Sequence, residues 1–236
     1  MGVDTSVAPM QTGATVAAVP RQPTTNIGRR RASAQAEGGV AYETRRAEII
    51  TAAAKVFLAK GFGSTTFKDI GEELGIDRAT LYYYFSSKEE LFQTATGAAV
   101  ARNTEAAEAV AASSSTPAEK LHRILALVLD SYTNTDYPYM YIFLQEDLTR
   151  VAGKGSERWA AEVRALSRRY EAAVTRIVQE GIDLGEFSAD VPPAMVTRAL
   201  IGMTNWTQRW FRPSGPLDAN EVAELFGHLV LRGLER

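Results

Sequence analysis

The chain contains no cysteine and only two histidines among its 236 residues. Without cysteine there is no disulfide framework, no thiol nucleophile and no thiolate-bound zinc. His122 and His228 are far apart and neither stands at metal-ligand spacing from another histidine, so no metal site is expected. No nucleophile-elbow pattern occurs, and no glycine-rich phosphate loop follows a strand. An enzyme is therefore not expected, nor a cofactor. An excess of positive charge is missing too: 26 Lys and Arg face 28 Asp and Glu, a net charge of −2. That excludes a globally basic polyanion binder but leaves room for a local basic patch. No apolar run approaches the length that spans a bilayer, and the start lacks a charged segment followed by an apolar one. No membrane association and a cytoplasmic location are the expectation. No segment alternates polar and apolar residues between turn signals, so no sheet is expected.

What is present is helical periodicity, preceded by a different kind of sequence. Residues 1–40 are rich in Ala, Thr, Gly, Pro, Val and Ser and poor in large apolar side chains. Such a segment buries too little surface to offset the entropy of ordering it, and reads as a disordered tail with one basic cluster, Arg29-Arg30-Arg31. From Tyr42 onward the apolar residues fall into stripes. Ile50, Ala53, Ala54 and Phe57 stand at i, i+3, i+4 and i+7, the spacing of one helix face. Gly61 stops that helix. Phe67, Ile70, Gly71 and Leu74 repeat the spacing on a shorter helix with Thr66 as N-cap and Asp69 three residues on. Gly75 ends it, Asp77 caps the next, and Ser87 with Glu90 reads as a capping box for the one after. Longer stripes follow through Leu121–Tyr132, a candidate helix over 137–148, Val163–Ile177, a helix opened by Pro192-Pro193 and closed by Pro213, and Val222–Val230. The expectation is an all-α protein of about nine helices.

The informative segment is Thr65 to Phe92, TTFKDIGEELGIDRATLYYYFSSKEELF. Gly75-Ile76-Asp77 separates two short amphipathic helices, the length of a helix-turn-helix turn. The second helix has two strongly apolar inward positions, Leu81 and Phe85. Its other faces carry Arg78, Thr80, Tyr82, Tyr83 and Tyr84. Three consecutive residues at 100° steps cannot all point inward, so at least one tyrosine is exposed. An exposed helix with an arginine and several hydroxyls suits the major groove of DNA. Thr66 and Lys68 open the preceding helix and Lys88 the following one. Each end offers free N–H groups, and each has a lysine ammonium near a candidate phosphate position.

This stretch resembles the TetR family: a helix opening on two threonines, a glycine-containing turn, a Thr-Leu-Tyr-Tyr-Tyr-Phe reading helix and a Ser-Lys-Glu-Glu-Leu-Phe start. The resemblance covers about 50 residues, Thr44 to Gln93. It implies that Arg78, Thr80, Tyr82 and Tyr83 meet DNA, with Tyr84 and Lys88 on phosphates. Where family members often have Ser or Thr, this chain has Asp77, which caps the helix but repels a phosphate. The resemblance further implies a DNA-binding domain over residues 41–92, and a domain over 93–236 that holds a ligand and pairs the subunits. The segment Ala199–Leu234 is similar to the ending of actinobacterial members that control lipid or steroid breakdown and respond to acyl-CoA thioesters.

The partners implied are a palindromic double-stranded DNA operator, a second copy of the chain and a small apolar ligand of acyl-CoA type. Ligand-released repression is the family's usual sign. For the ligand, Tyr139, Phe143, Trp206, Arg209 and Trp210 are candidates, because such pockets are aromatic with few polar groups; core packing is the competing reading for each. For the dimer, the resemblance points to Ala199, Met203, Leu225, Phe226 and Leu229 on the last two helices. Two rival functions use the same features: a ligand-independent DNA architectural protein and a helical lipid-CoA carrier.

Overall fold

The computed structural model describes residues 39–133, 157–212 and 214–234, and among these the fold is all helix. Eight helices follow in order: α1 (Gly39–Lys60), α2 (Phe67–Leu74), α3 (Arg78–Tyr84), α4 (Lys88–Ala112), α5 (Pro117–Thr133), α6 (Glu157–Asp183), α7 (Pro193–Thr207) and α8 (Ala219–Leu234). Residues 1–38 of the expected tail and the candidate helix over 137–148 lie outside the described residues, while Gly39 and Val40, expected in the tail, open α1. α7 ends at Thr207, six residues before the proline expected to close it.

The helix ends follow the local chemistry. Thr66 and Asp69 form a complete capping box, each side chain bonding the other's backbone N–H. Asp77 accepts the N–H of Thr80 at 2.9 Å. Ser87 accepts the N–H of Glu90, but the Glu90 carboxylate reaches back to Ser86, accepting its N–H at 2.8 Å and its hydroxyl at 2.6 Å. The box expected at α4 is thus shifted by one residue on its carboxylate side.

The buried side chains form two clusters. The first joins Ile49 and Phe57 of α1, Phe67 and Ile70 of α2, Leu81, Phe85, and Leu91, Phe92 and Val100 of α4. Phe57, Phe62 and Phe92 meet with ring centroids 5.0–5.7 Å apart, a geometry that adds to their area burial. The second cluster takes Ala107, Val110 and Ala111 of α4, the inner stripes of α5 and α6, and Leu200 and Val222 from α7 and α8. The boundary expected at residue 92 therefore falls inside a continuous 25-residue helix that belongs to both clusters.

α4 and α6 run side by side in the same direction. Thr104 Oγ1 lies 3.5 Å from the Leu166 carbonyl, and Glu108 pairs with Arg169 at 2.6 and 2.9 Å. Tyr132 of α5 donates its hydroxyl to the Thr204 carbonyl of α7 at 2.8 Å. His122 of α5 lies 3.3 Å from Glu224 and against Gly227 of α8, so this histidine is a packing residue. No group of metal ligands occurs among the described residues.

Candidate nucleic-acid interface

α1, α2 and α3 present one short helix at the surface. α2 turns into α3 through Gly75, whose φ of 66° lies in the left-handed region that favours glycine. Gly71 is required for a different reason: a Cβ there would stand 2.7 Å from the Ile76 carbonyl oxygen. Gly71→Ala is expected to cost about 1–3 kcal/mol, because backbone has to move to relieve the overlap. Urea unfolding would show it as a lower midpoint; an unchanged midpoint would mean the turn relaxes freely.

α3 is anchored by Leu81 and Phe85, both fully buried. Tyr42, near the start of α1, stacks on Tyr84 at 5.0 Å and meets Tyr83 edge-on at 6.3 Å. Burial raises the Tyr84 hydroxyl pKa from its ordinary value, aided by Tyr83 and opposed by Arg45. The three tyrosines are all half-buried, which follows from the 100° step: none is on the fully inward line held by Leu81 and Phe85. Arg78 donates to the Tyr82 hydroxyl at 2.6 Å and covers its ring, while Tyr82 packs on Phe67 at 4.8 Å. Arg78 and Tyr82 are thereby held as a unit on the outer side of α3.

Beside that unit lies an open groove of about 540 Å³. Thr65, Thr66, Phe67 and Lys68 from the start of α2 form one wall, and Ser86, Ser87, Lys88 and Glu89 from the start of α4 the other; Arg78 and Tyr82 complete it. Two helix N-termini converge there, so partial positive charge from both dipoles adds to the cationic side chains. Of the expected DNA-binding residues, Thr66, Lys68, Arg78, Tyr82 and Lys88 meet in this groove. Thr80 lies on α3 outside its lining, and Tyr83 and Tyr84 face the start of α1. Thr65, Ser86 and Ser87 were not foreseen as lining residues; Ser87 is itself the N-cap of α4 and the other two adjoin the caps Thr66 and Ser87, which was the available signal.

Two lysines differ from each other. Lys68 is exposed, its ammonium 3.6 Å from Glu72. Lys88 donates to the Phe62 carbonyl at 2.6 Å and reaches the Gly63 carbonyl at 3.4 Å, over the Phe62 ring. An ammonium has three donors, so Lys88 braces the α1–α2 loop and keeps one N–H for another acceptor. Lys88→Met should weaken DNA binding and also lower the melting temperature. A salt slope reduced by about one would assign it a phosphate contact; an unchanged slope would leave only the bracing role.

The chain is similar to known bacterial regulators. Residues 49–95 match the profile of bacterial regulatory proteins of the tetR family, and residues 114–234 match the tetracyclin repressor-like C-terminal domain. The chain belongs to the TetR family. The TetR-family repressor KstR2 of Mycobacterium tuberculosis is 26% identical over 198 residues, covering 82% of this chain and 94% of that protein. Its structure superposes with a TM-score of 0.73 over 81% of this chain and 95% of that one. The TetR-family regulator PfmR of Thermus thermophilus is 34% identical with a TM-score of 0.70, covering 80% of this chain and 99% of that one. YfiR of Bacillus subtilis, an HTH-type regulator, is 33% identical over 69% of this chain and 78% of its own length. The chain is accordingly a TetR-type transcriptional regulator that binds DNA, and not an enzyme.

Three of the five candidate ligand residues fall among the described residues. Tyr139 and Phe143 lie outside the described residues. Trp206 and Trp210 are 59% and 48% exposed. The inward line of α7 is taken by Val196, Leu200, Thr204 and Thr207, which leaves Trp206 on the outer side. Arg209 covers the Trp206 ring at 4.2 Å, and Trp210 meets Phe226 of α8 edge-on at 6.3 Å. These three residues form an outer patch at the end of α7.

Proposed function

We propose that this TetR-family chain is a dimeric, ligand-released repressor of a palindromic operator, with α3 in the major groove. The groove between the starts of α2 and α4 carries this reading. Two converging helix N-termini, Lys68, Lys88 and the Arg78–Tyr82 unit suit a phosphate at the edge of the major groove. Arg78, Thr80, Tyr82 and Tyr83 on α3 supply the contacts to base edges and sugar-phosphate, and Tyr84 holds α3 against α1. Residues 41–92 carry the DNA-reading function and 93–236 the ligand and dimer functions, with α4 joining them.

The dimer reading rests on exposed apolar surface. Met195, Ala199, Gly202 and Trp206 stand at spacings of four, three and four along the outer side of α7. Leu225 and Leu229 of α8 are 52% and 66% exposed, while Phe226 and Met203 are half-buried beside them. Two adjacent helices with such faces suit a four-helix interface about a two-fold axis, which also matches a palindromic site.

A CoA thioester of a fatty or steroid acid is the effector class proposed. The similarity to KstR2, described as a ketosteroid transcriptional regulator, supports it, as does the sequence of the last two helices. The ligand changes operator affinity only by its differential affinity for two arrangements of the reading heads. Fluorescence anisotropy with DNA from the chain's own upstream region, at fixed salt, tests the whole. Tight binding relieved by one thioester and not by its free acid supports the reading. Tight binding indifferent to every thioester removes the effector class. Binding no tighter than to scrambled DNA argues against the operator assignment.

A further inference from the structure

Asn103 occupies the seam between the two hydrophobic clusters. On α4, Val100 belongs to the first cluster and Ala107 to the second. On α6 the same change falls between Leu166, packed on the first, and Tyr170, packed on the second. The Thr104–Leu166 contact at 3.5 Å puts both changes at one level of the molecule. It is here that one polar group goes unanswered. Asn103 Nδ2 is shielded from solvent and has no hydrogen-bond partner. Its neighbour Thr104 is satisfied, donating to the Val100 carbonyl at 3.0 Å. Tyr170 stands on the facing helix, and burial raises its hydroxyl pKa above the ordinary tyrosine value.

A buried donor without a partner is unfavourable, and native folds keep few of them. An asparagine Nδ2 can only donate, so its complement is an oxygen acceptor. The nearest ion pair at this level, Arg169 with Glu108, is closed on itself, so a neutral acceptor suits the seam better than an anion. A carbonyl oxygen in an otherwise apolar molecule satisfies all three conditions.

We propose that Asn103 is the polar recognition point for the carbonyl of an apolar effector lying across the seam, with the Tyr170 hydroxyl on the facing helix as a second donor. The proposal rests on the effector-responsive reading above and narrows it to a residue and a functional group. It also gives that ligand a lever. α4 is built into both clusters, so a molecule held between α4 and α6 bears on the helix whose first residues support the reading head.

The test compares decanoyl-coenzyme A with S-decyl-coenzyme A, which differ by one carbonyl, on the full chain and on Asn103→Leu and Tyr170→Phe. Affinities are read by calorimetry, and operator binding and melting temperature are measured without ligand. The wild type is expected to prefer the thioester by about tenfold, the value of one well-placed hydrogen bond. Asn103→Leu should erase that preference, and Tyr170→Phe reduce it, while ligand-free melting temperature and operator affinity stay at wild-type values. If Asn103→Leu keeps the tenfold preference, the proposal is overturned and the effector reading stands. If Asn103→Leu loses stability and operator affinity without ligand, Asn103 is a structural residue and the proposal is overturned. If neither compound binds the wild type, the proposal and the CoA-thioester reading fall together.

Discussion

Glu180→Ala is expected to destabilise the chain by about 2–3 kcal/mol. The Lys120 side chain is 3% exposed, and its ammonium donates to both carboxylate oxygens of Glu180 at 2.8 Å. Removing the carboxylate leaves a desolvated cation inside the second cluster, next to Leu121 and Ile177, with no countercharge. The expectation is set below the largest values for buried pairs because the Glu180 side chain is 36% exposed, so water can reach the ammonium from that side. Lys120→Met should be far milder, since it removes the charge together with the need for a partner and keeps the volume. Thermal and urea unfolding of both variants check this. Equal losses for the two would mean that packing, and not charge burial, fixes this contact between α5 and α6.

The second large effect is expected at the surface of α8. Replacing both Leu225 and Leu229 by glutamate should convert the proposed dimer to a monomer and reduce operator affinity by more than about a hundredfold, the scale on which linked sites gain over separate ones. Each leucine is more than half exposed in the single chain, and in the proposed dimer each meets a symmetry copy of the same face. Four unpaired carboxylates brought into one apolar interface cost more than such a contact gains. Operator affinity falls with it, because two half-sites bound by one rigid dimer are then bound separately. Sedimentation equilibrium reads the assembly, anisotropy reads the DNA, and far-ultraviolet circular dichroism reads the fold. The monomer's helix content should match the wild type, since neither side chain belongs to the buried cluster. A variant that remains dimeric would move the interface off α8.

The first half of the described chain was legible because its signals are local. Thr66, Asp77 and Ser87 cap helices through bonds to residues three positions on, and Gly75 ends α2 by a backbone conformation favoured in glycine. Leu81 and Phe85 are buried as their spacing required. These effects need no knowledge of the rest of the fold, so the order of residues determined the helix-turn-helix and exposed α3. The family resemblance of the same stretch extends that local reading to function.

Tertiary structure decided everything that depends on which side of a long helix meets which neighbour. Trp206 and Leu225 are as apolar as Leu200 and Val222, and nothing within their own helices marks them as outward-facing; the packing of α7 and α8 on α5 and α6 does that. Lys88 looked like a free cation at a helix start. The fold of the α1–α2 loop brings two carbonyls within its reach, from residues 25 and 26 positions away. Asn103 is an ordinary polar residue in the sequence, and only the parallel course of α4 and α6 places its amide at the seam of two cores. Short-range geometry is written in the sequence through backbone preference and capping. The pairing of faces follows from distant contacts formed in the folded chain.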